Sequence, residues 1–250
     1  NEASVLYKAA QAGSEVLLAE FNVNNTGAED LWKKQFAFEL GNTASSTPSD
    51  LAGQRASLWL GNTKLADIQF GLGAAAVQRY ATTSLAGNGT LIPRNSSVKF
   101  SVRGTLASQN ADEGTPGNFI QVMVDGANNG LSGNYALGAS SGSTIGPVAF
   151  ADAGSNGVRA FRSFASFEDV TTATNLVAGS DLYAVKVTAN AGRDLGLRRL
   201  SFQIATTGAA GFAVTGFQLF GPSGAVNAVA VDATDKYVAA DGIFDAVEVG

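Results

Sequence analysis

The sequence predicts an all-β protein built of two tandem antiparallel β-sandwiches. Three observations carry that prediction. Apolar and polar residues alternate along most of the chain, turn-forming residues punctuate the runs, and one long phrase is written twice. "AGSEVLLAEFNVN" begins at Ala12 and "AGSDLYAVKVTAN" at Ala178; "DLWKKQFAFEL" follows at Asp30 and "DLGLRRLSFQI" at Asp194. The order of apolar, basic and polar residues is kept through both phrases, although the second copy is two residues shorter between them. Two phrases in one order mark a repeated structural unit rather than a chance match.

Taken in order, the runs describe strands with one dry and one wet face. Leu17, Ala19, Phe21 and Val23 share a face against Glu20 and Asn22; Tyr183, Val185, Val187 and Ala189 share the matching face against Lys186 and Thr188. Phe36, Phe38 and Leu40 alternate with Gln35 and Glu39, as Leu200, Phe202 and Ile204 do with Ser201 and Gln203. Val98, Phe100 and Val102 alternate with Lys99, Ser101 and Arg103, and "NFIQVMVDG" and "GFQLFG" read the same way. Gly61-Asn62, Gly87-Asn88-Gly89, Pro93, Asp125-Gly126, Gly221-Pro222 and Asp241-Gly242 are the turns between runs. Leu65 to Tyr80 holds an Ala run, but Gly71 and Gly73 break it, so no helix is expected.

The expected domains are residues 1–125, a Gly/Ser/Ala-rich connector at 126–157, and residues 158–250. Tyr135, Leu137, Ile145, Val148 and Phe150 are too apolar for a free linker, so the connector is expected to lie ordered against a domain. After the shared phrases the first copy adds "SVKFSVRG" and "FIQVMVDG", for which the second has no counterpart. The second domain is therefore expected to be incomplete. Either the sequence is cut from a longer array, or another chain supplies a strand, for which "ASVLYKAA" near Asn1 is the candidate.

Composition narrows the function. Hydrophobic residues make up 45% of the chain and charged ones 15%, so cores are affordable while the surface is covered by small polar side chains. A net charge of −5 argues against nucleic acid and anionic membranes. Without Cys or His, disulfides, Cys/His zinc sites and the commonest general base are all excluded. No apolar run has the roughly 18 residues of a membrane span, and "NEASVLYKAA" lacks the features of a signal peptide.

Several residues invite chemical readings. Asp232, Asp235, Asp241, Asp245 and Glu248 could offer oxygen ligands to calcium, but their spacing fits no EF-hand loop, and turns or surface explain them better. Asp112-Glu113 is a second acidic loop of the same kind. Lys33-Lys34 and Arg198-Arg199 recur at one repeat position and read as solvated charge guarding a strand edge, or as a contact to an acidic partner. Trp32 and Trp59 could stack on sugar rings, yet core or strand-edge packing is the expected role. No carboxylate pair stands out for glycoside hydrolysis. Asn24-Asn25-Thr26, Asn88-Gly89-Thr90 and Asn95-Ser96-Ser97 match the N-glycosylation pattern, as chance allows in so polar a chain.

"NGVRAFRSFASFEDV", "AGSDLYAVKVTANAGRDLGLRRLSFQI" and "GTLIPRNSSVKFSVRG" resemble the tandem Ig-like repeat proteins of candidate-phyla (Patescibacteria) cell surfaces. The resemblance implies an exported, non-enzymatic surface protein of Ig-like β-sandwich modules, with no catalytic residues and no cofactor. The resulting expectation is a structural subunit of a cell-surface layer or extracellular filament that self-associates through noncovalent β contacts. The alternative is an adhesin or carbohydrate-binding module that contacts a surface glycan.

Overall fold

The computed structural model describes residues 8–41, 47–108, 117–127, 133–146, 151–171, 177, 181–190, 194–203, 218–222, 224–226, 230–231 and 237–247. The chain divides into two compact units, Asn1–Arg162 and Ser163–Gly250. It is all-β, with two short 3-10 turns at Pro48–Asp50 and Ala52–Gln54 as the only helical elements among the described residues.

Among the described residues, the first unit contains fourteen strands: β1 (Lys8–Gln11), β2 (Glu15–Asn25), β3 (Leu31–Leu40), β4 (Arg55–Leu60), β5 (Thr63–Gln69), β6 (Tyr80–Ser84), β7 (Thr90–Ile92), β8 (Ser96–Thr105), β9 (Phe119–Ile120), β10 (Val122–Val124), β11 (Tyr135–Gly138), β12 (Thr144–Ile145), β13 (Ala153–Gly154) and β14 (Val158–Phe161). One antiparallel sheet has the order β2-β8-β4-β5. The other is centred on β3, which pairs with β6 and β7 along one edge and with β10 and β11 along the other. Phenylalanines fill the space between the sheets. Phe21 of β2 meets Phe36 and Phe38 of β3 edge-on at 5.6 and 6.1 Å and stacks on Phe100 of β8 at 5.8 Å. Phe36, Phe38 and Phe100 are almost fully buried, as alternation predicts. Each such ring contributes about 1.5–3 kcal/mol through burial alone. The two-residue turn Gly61-Asn62 joins β4 to β5, with Gly61 at φ +58°, a left-handed conformation that glycine adopts without strain.

Four features depart from the sequence expectation. Leu17 is 42% exposed and Leu18 is buried instead. Between Leu17 and Ala19 the register against β8 slips by one residue, a β-bulge that places Leu18 and Ala19 on the inner side together. Lys33, expected in solvent, is 8% exposed, because β3 is the central strand of its sheet rather than an edge. Not every pairing is antiparallel: β1 runs parallel to β14, with Lys8 opposite Val158 and Gln11 opposite Phe161. Finally, the stretch 126–157 enters the first unit's β3 sheet through β11, β12 and β13, and Val158–Phe161 pairs with β1 and β9 of that unit.

Two polar devices fasten this stretch. β10 and β11 both line one edge of β3 but leave a gap at Ala37. The Asn134 side chain closes it, accepting from the Ala37 N–H at 3.0 Å and donating to the Asp125 carbonyl at 2.8 Å, while the Asp125 N–H donates to the Ala37 carbonyl at 2.9 Å. Buried backbone groups are thus paired by a side chain where the ladder is interrupted. Glu29, before β3, accepts from the N–H groups of Ser140 and Ser141 and from the Ser141 hydroxyl at 2.7 Å. Those bonds, led by the Ser141 hydroxyl, hold its carboxyl below the usual carboxylate range. Tyr135 and Leu137 are half-buried here and Ile145 is exposed; Val148 and Phe150 lie outside the described residues.

Among the described residues, the second unit has seven strands: β15 (Ala165–Asp169), β16 (Val185–Ala189), β17 (Leu195–Gln203), β18 (Leu219–Gly221), β19 (Gly224–Val226), β20 (Ala230–Val231) and β21 (Tyr237–Val247). β15 pairs with β16, β18 with β19, and β21 lies between β17 and β20. The repeat is visible in the registers. Phe38 faces Ala81 and Glu39 faces Tyr80 across β3 and β6, just as Phe202 faces Val238 and Gln203 faces Tyr237 across β17 and β21. Asp241-Gly242, expected as a turn, lies within β21. Between the Arg199–Asp241 and Leu197–Phe244 pairs, β21 carries one extra residue, so the glycine marks a bulge.

Candidate interaction surface

The second unit exposes several large apolar side chains. On β15, Phe167 is 58% exposed, although it stands opposite Val187 of β16. Val170, next to the end of β15, and Leu182 and Tyr183, just before β16, are exposed, and Phe220 of β18 is exposed on its hairpin. Val187, Leu200 and Phe202 are half-buried. Tyr183, expected inside, touches Phe202 edge-on at 6.1 Å but keeps 52% of its surface in water. Exposed aromatic and aliphatic groups gathered about one strand pair are uncommon on a surface that meets only water. Across these strands Lys186 Nζ lies a loose 4.0 Å from Glu168, and both side chains are well exposed.

The remaining sequence candidates fall elsewhere. Lys33 Nζ sits 4.5 Å from the Phe36 ring centroid, and burial lowers its pKa to about 8. Lys34 Nζ donates to the Gly87 carbonyl at 2.8 Å. That turn is tight: a Cβ on Gly89, at φ +81°, would lie 2.1 Å from the Lys33 carbonyl oxygen. Arg198 and Arg199 share the β17 backbone, but their side chains lie outside the described residues. Trp32 is half-buried on β3, opposite Leu91 and Leu137. Trp59 donates from Nε1 to the Ser57 hydroxyl at 2.8 Å, and the Arg103 guanidinium covers its ring at 4.6 Å. A sugar would have to displace that arginine to stack on the covered face. Asn24, Asn88 and Asn95 are exposed.

Of the calcium candidates, Asp232 and Asp235 lie outside the described residues, as do Glu248, Asp112 and Glu113. Asp241 and Asp245 occupy positions on β21, with side chains not described. Among the described residues, no group of three or more acidic side chains is placed to hold a metal ion.

One acidic cluster escaped the sequence reading. Glu39, buried on β3, has its carboxyl pushed up to about 7, first by burial, then by Asp152; Asp125 adds to the rise and Arg79 opposes it. Protonated Glu39 donates to Asp152, whose Oδ1 also accepts from the N–H groups of Gly126 and Ala127 at 2.9 and 3.2 Å. Arg79 donates to the Leu40 carbonyl. Two hydrogen-bonded carboxyls are closer than the roughly 5 Å or more that flank a scissile glycosidic bond. This arrangement is suited to fastening the strand after Asp152 to the sheet.

No family model matches the chain, and no curated protein does. A solved structure of a class 5 fimbriae chaperone, CfaA, overlaps 97% of this chain and 85% of its own at 11% identity, with a TM-score of 0.25. At that score the likeness says nothing about what this chain does. No helix among the described residues is long and apolar enough to cross a membrane.

Proposed function

We propose that the protein is a structural subunit of a cell-surface layer or extracellular filament, acting without catalysis and held to its neighbours by noncovalent β contacts. The observation that carries this reading is the exposed apolar set around β15 and β16, with Phe167, Leu182 and Tyr183 at 58, 43 and 52% exposure. Burying such groups against a neighbour is worth about 25 cal/mol per Å² of apolar surface, so several together drive association. The absence of cysteine leaves apolar burial and strand pairing as the available cohesion. Electron microscopy of the purified protein, with and without calcium, tests this. Sheets or fibres are the expected result; monomers alone at high concentration would sink it.

A further inference from the structure

The geometry points to one edge of β16 as an acceptor for a strand from a second copy of this chain. The inference rests on the subunit reading above and names the contact that would build it. The repeat shows which edge is in question. In the first unit the Ser57 hydroxyl on β4 donates to the Arg103 carbonyl, so Arg103 turns its backbone groups toward β4. Backbone direction alternates along a strand, so Val102 and Phe100 turn theirs toward β2, opposite Ala19 and Phe21. Ala19 and Phe21 thus have inward side chains and backbone groups facing β8.

In the second copy Val185, Val187 and Ala189 occupy the positions of Ala19, Phe21 and Val23. Chirality fixes the side to which a residue's N–H and C=O point once its side-chain face and strand direction are set. These three must therefore face the edge that corresponds to the β8 edge. β15 occupies the other one: the Ala184 carbonyl accepts from the Val170 N–H at 2.9 Å, and the Asn190 N–H donates to the Phe164 carbonyl at 3.0 Å. Among the described residues, no strand pairs with the β8-type edge of β16.

The first unit also shows what a strand there must bring. Phe100 of β8 stacks on Phe21 and meets Phe36 at 5.1 Å; Leu200, the counterpart of the fully buried Phe36, is only half-buried. The occupant is an extended segment, antiparallel to β16, with apolar residues at alternate positions in the manner of Val98, Phe100 and Val102. Ala3, Val5 and Tyr7, just before β1, place apolar residues at alternate positions, with Ser4 and a further apolar residue, Leu6, between them. Lys8–Gln11 is held to β14 within its own unit, so the segment leaves an anchored point. Donor and acceptor differ, so the contact propagates head to tail into a fibre.

Hydrogen exchange read by mass spectrometry on the full chain tests this, alongside a variant lacking residues 1–7 and the variant Val5→Pro, which cannot donate a ladder bond at that position. The expected result is slow exchange at Val185, Val187 and Ala189 in the assembled chain. Both variants should lose fibres and that protection while Ala160 of β14 stays protected, showing an intact first unit. Adding the peptide SSVKFSVRGT, the β8 sequence, should restore protection on β16 without restoring fibres. Fibres and β16 protection that persist in both variants would overturn the donated strand while leaving the subunit reading intact. Fast exchange on β16 within intact fibres would overturn the acceptor edge. A full chain that never assembles would defeat the subunit reading itself.

Discussion

Phe36 and Phe38 in the first copy are 1% and 0% exposed, whereas Leu200 and Phe202, which take their places in the second, are half-buried. The strands carrying them follow the same alternation and the same register against their partners. The difference lies in what covers them. In the first copy β8 brings Phe100 into the space between sheets, and β10 and β11 shield the far edge of β3. A repeated phrase therefore specifies a strand and its inward face. Burial is decided by strands outside the phrase.

The sharpest way to break this comparison is to truncate matched side chains. Phe38→Ala should destabilise the first unit by about 3–5 kcal/mol, in the range for a fully buried phenylalanine. Phe202→Ala should cost the second unit about 1 kcal/mol, because its ring is already partly wet. Urea unfolding followed by exchange in each unit separates the two; equal losses would show that the second core is as closed as the first. Next in size, Asn134→Ala should cost about 1–3 kcal/mol, since it leaves the buried Ala37 N–H without its acceptor. The loss should appear as earlier opening of β10 and β11 than of β2 and β8.

Smaller effects come from titration, again confined to the first unit. Glu39 binds its proton more tightly folded, at about 7, than the ordinary 4.5 of an unfolded glutamate. The folded state therefore holds more protons between those values, and stability should fall as pH rises from about 4.5 to about 7. Glu39→Gln should flatten that slope and raise the melting temperature at pH 8; an unchanged slope would assign the titration to another group. Lys33 behaves in the opposite sense. Its folded pKa of about 8 lies below the ordinary 10.5, so its burial penalty is complete below pH 8 and lifts as pH rises toward 10.5. Lys33→Met should be within about 1 kcal/mol of the parent at pH 7, because a similar volume replaces a desolvated charge.

Much of this was legible in the residues. Period-two alternation identified Phe36, Phe38, Leu40, Phe100 and Val102 as core because regular strands obey it. It failed at Leu17 because one inserted residue swaps the faces, and nothing local announces that the partner strand lacks a matching one. Lys33 was misplaced for a related reason: whether a strand is central depends on segments about a hundred residues away, here Tyr135–Gly138. Four-residue β11 was hidden in a Gly- and Ser-rich stretch too short to show a period. The bonds of Glu29 to Ser140 and Ser141, and of Glu39 to Asp152, also join residues more than a hundred positions apart. The β16 edge became readable only by setting the two copies side by side.

The parallel pairing of β1 with β14 has a mechanical consequence. Tension entering the first unit at Lys8 and leaving at Phe161 pulls the two strands from opposite ends of one ribbon. Force in that direction loads the hydrogen bonds between them together, in shear, instead of peeling them apart one after another. An extended chain of such units would pass tension along its length while the Phe21–Phe36–Phe100 cluster stayed closed, and would yield by abrupt release rather than gradual stretch.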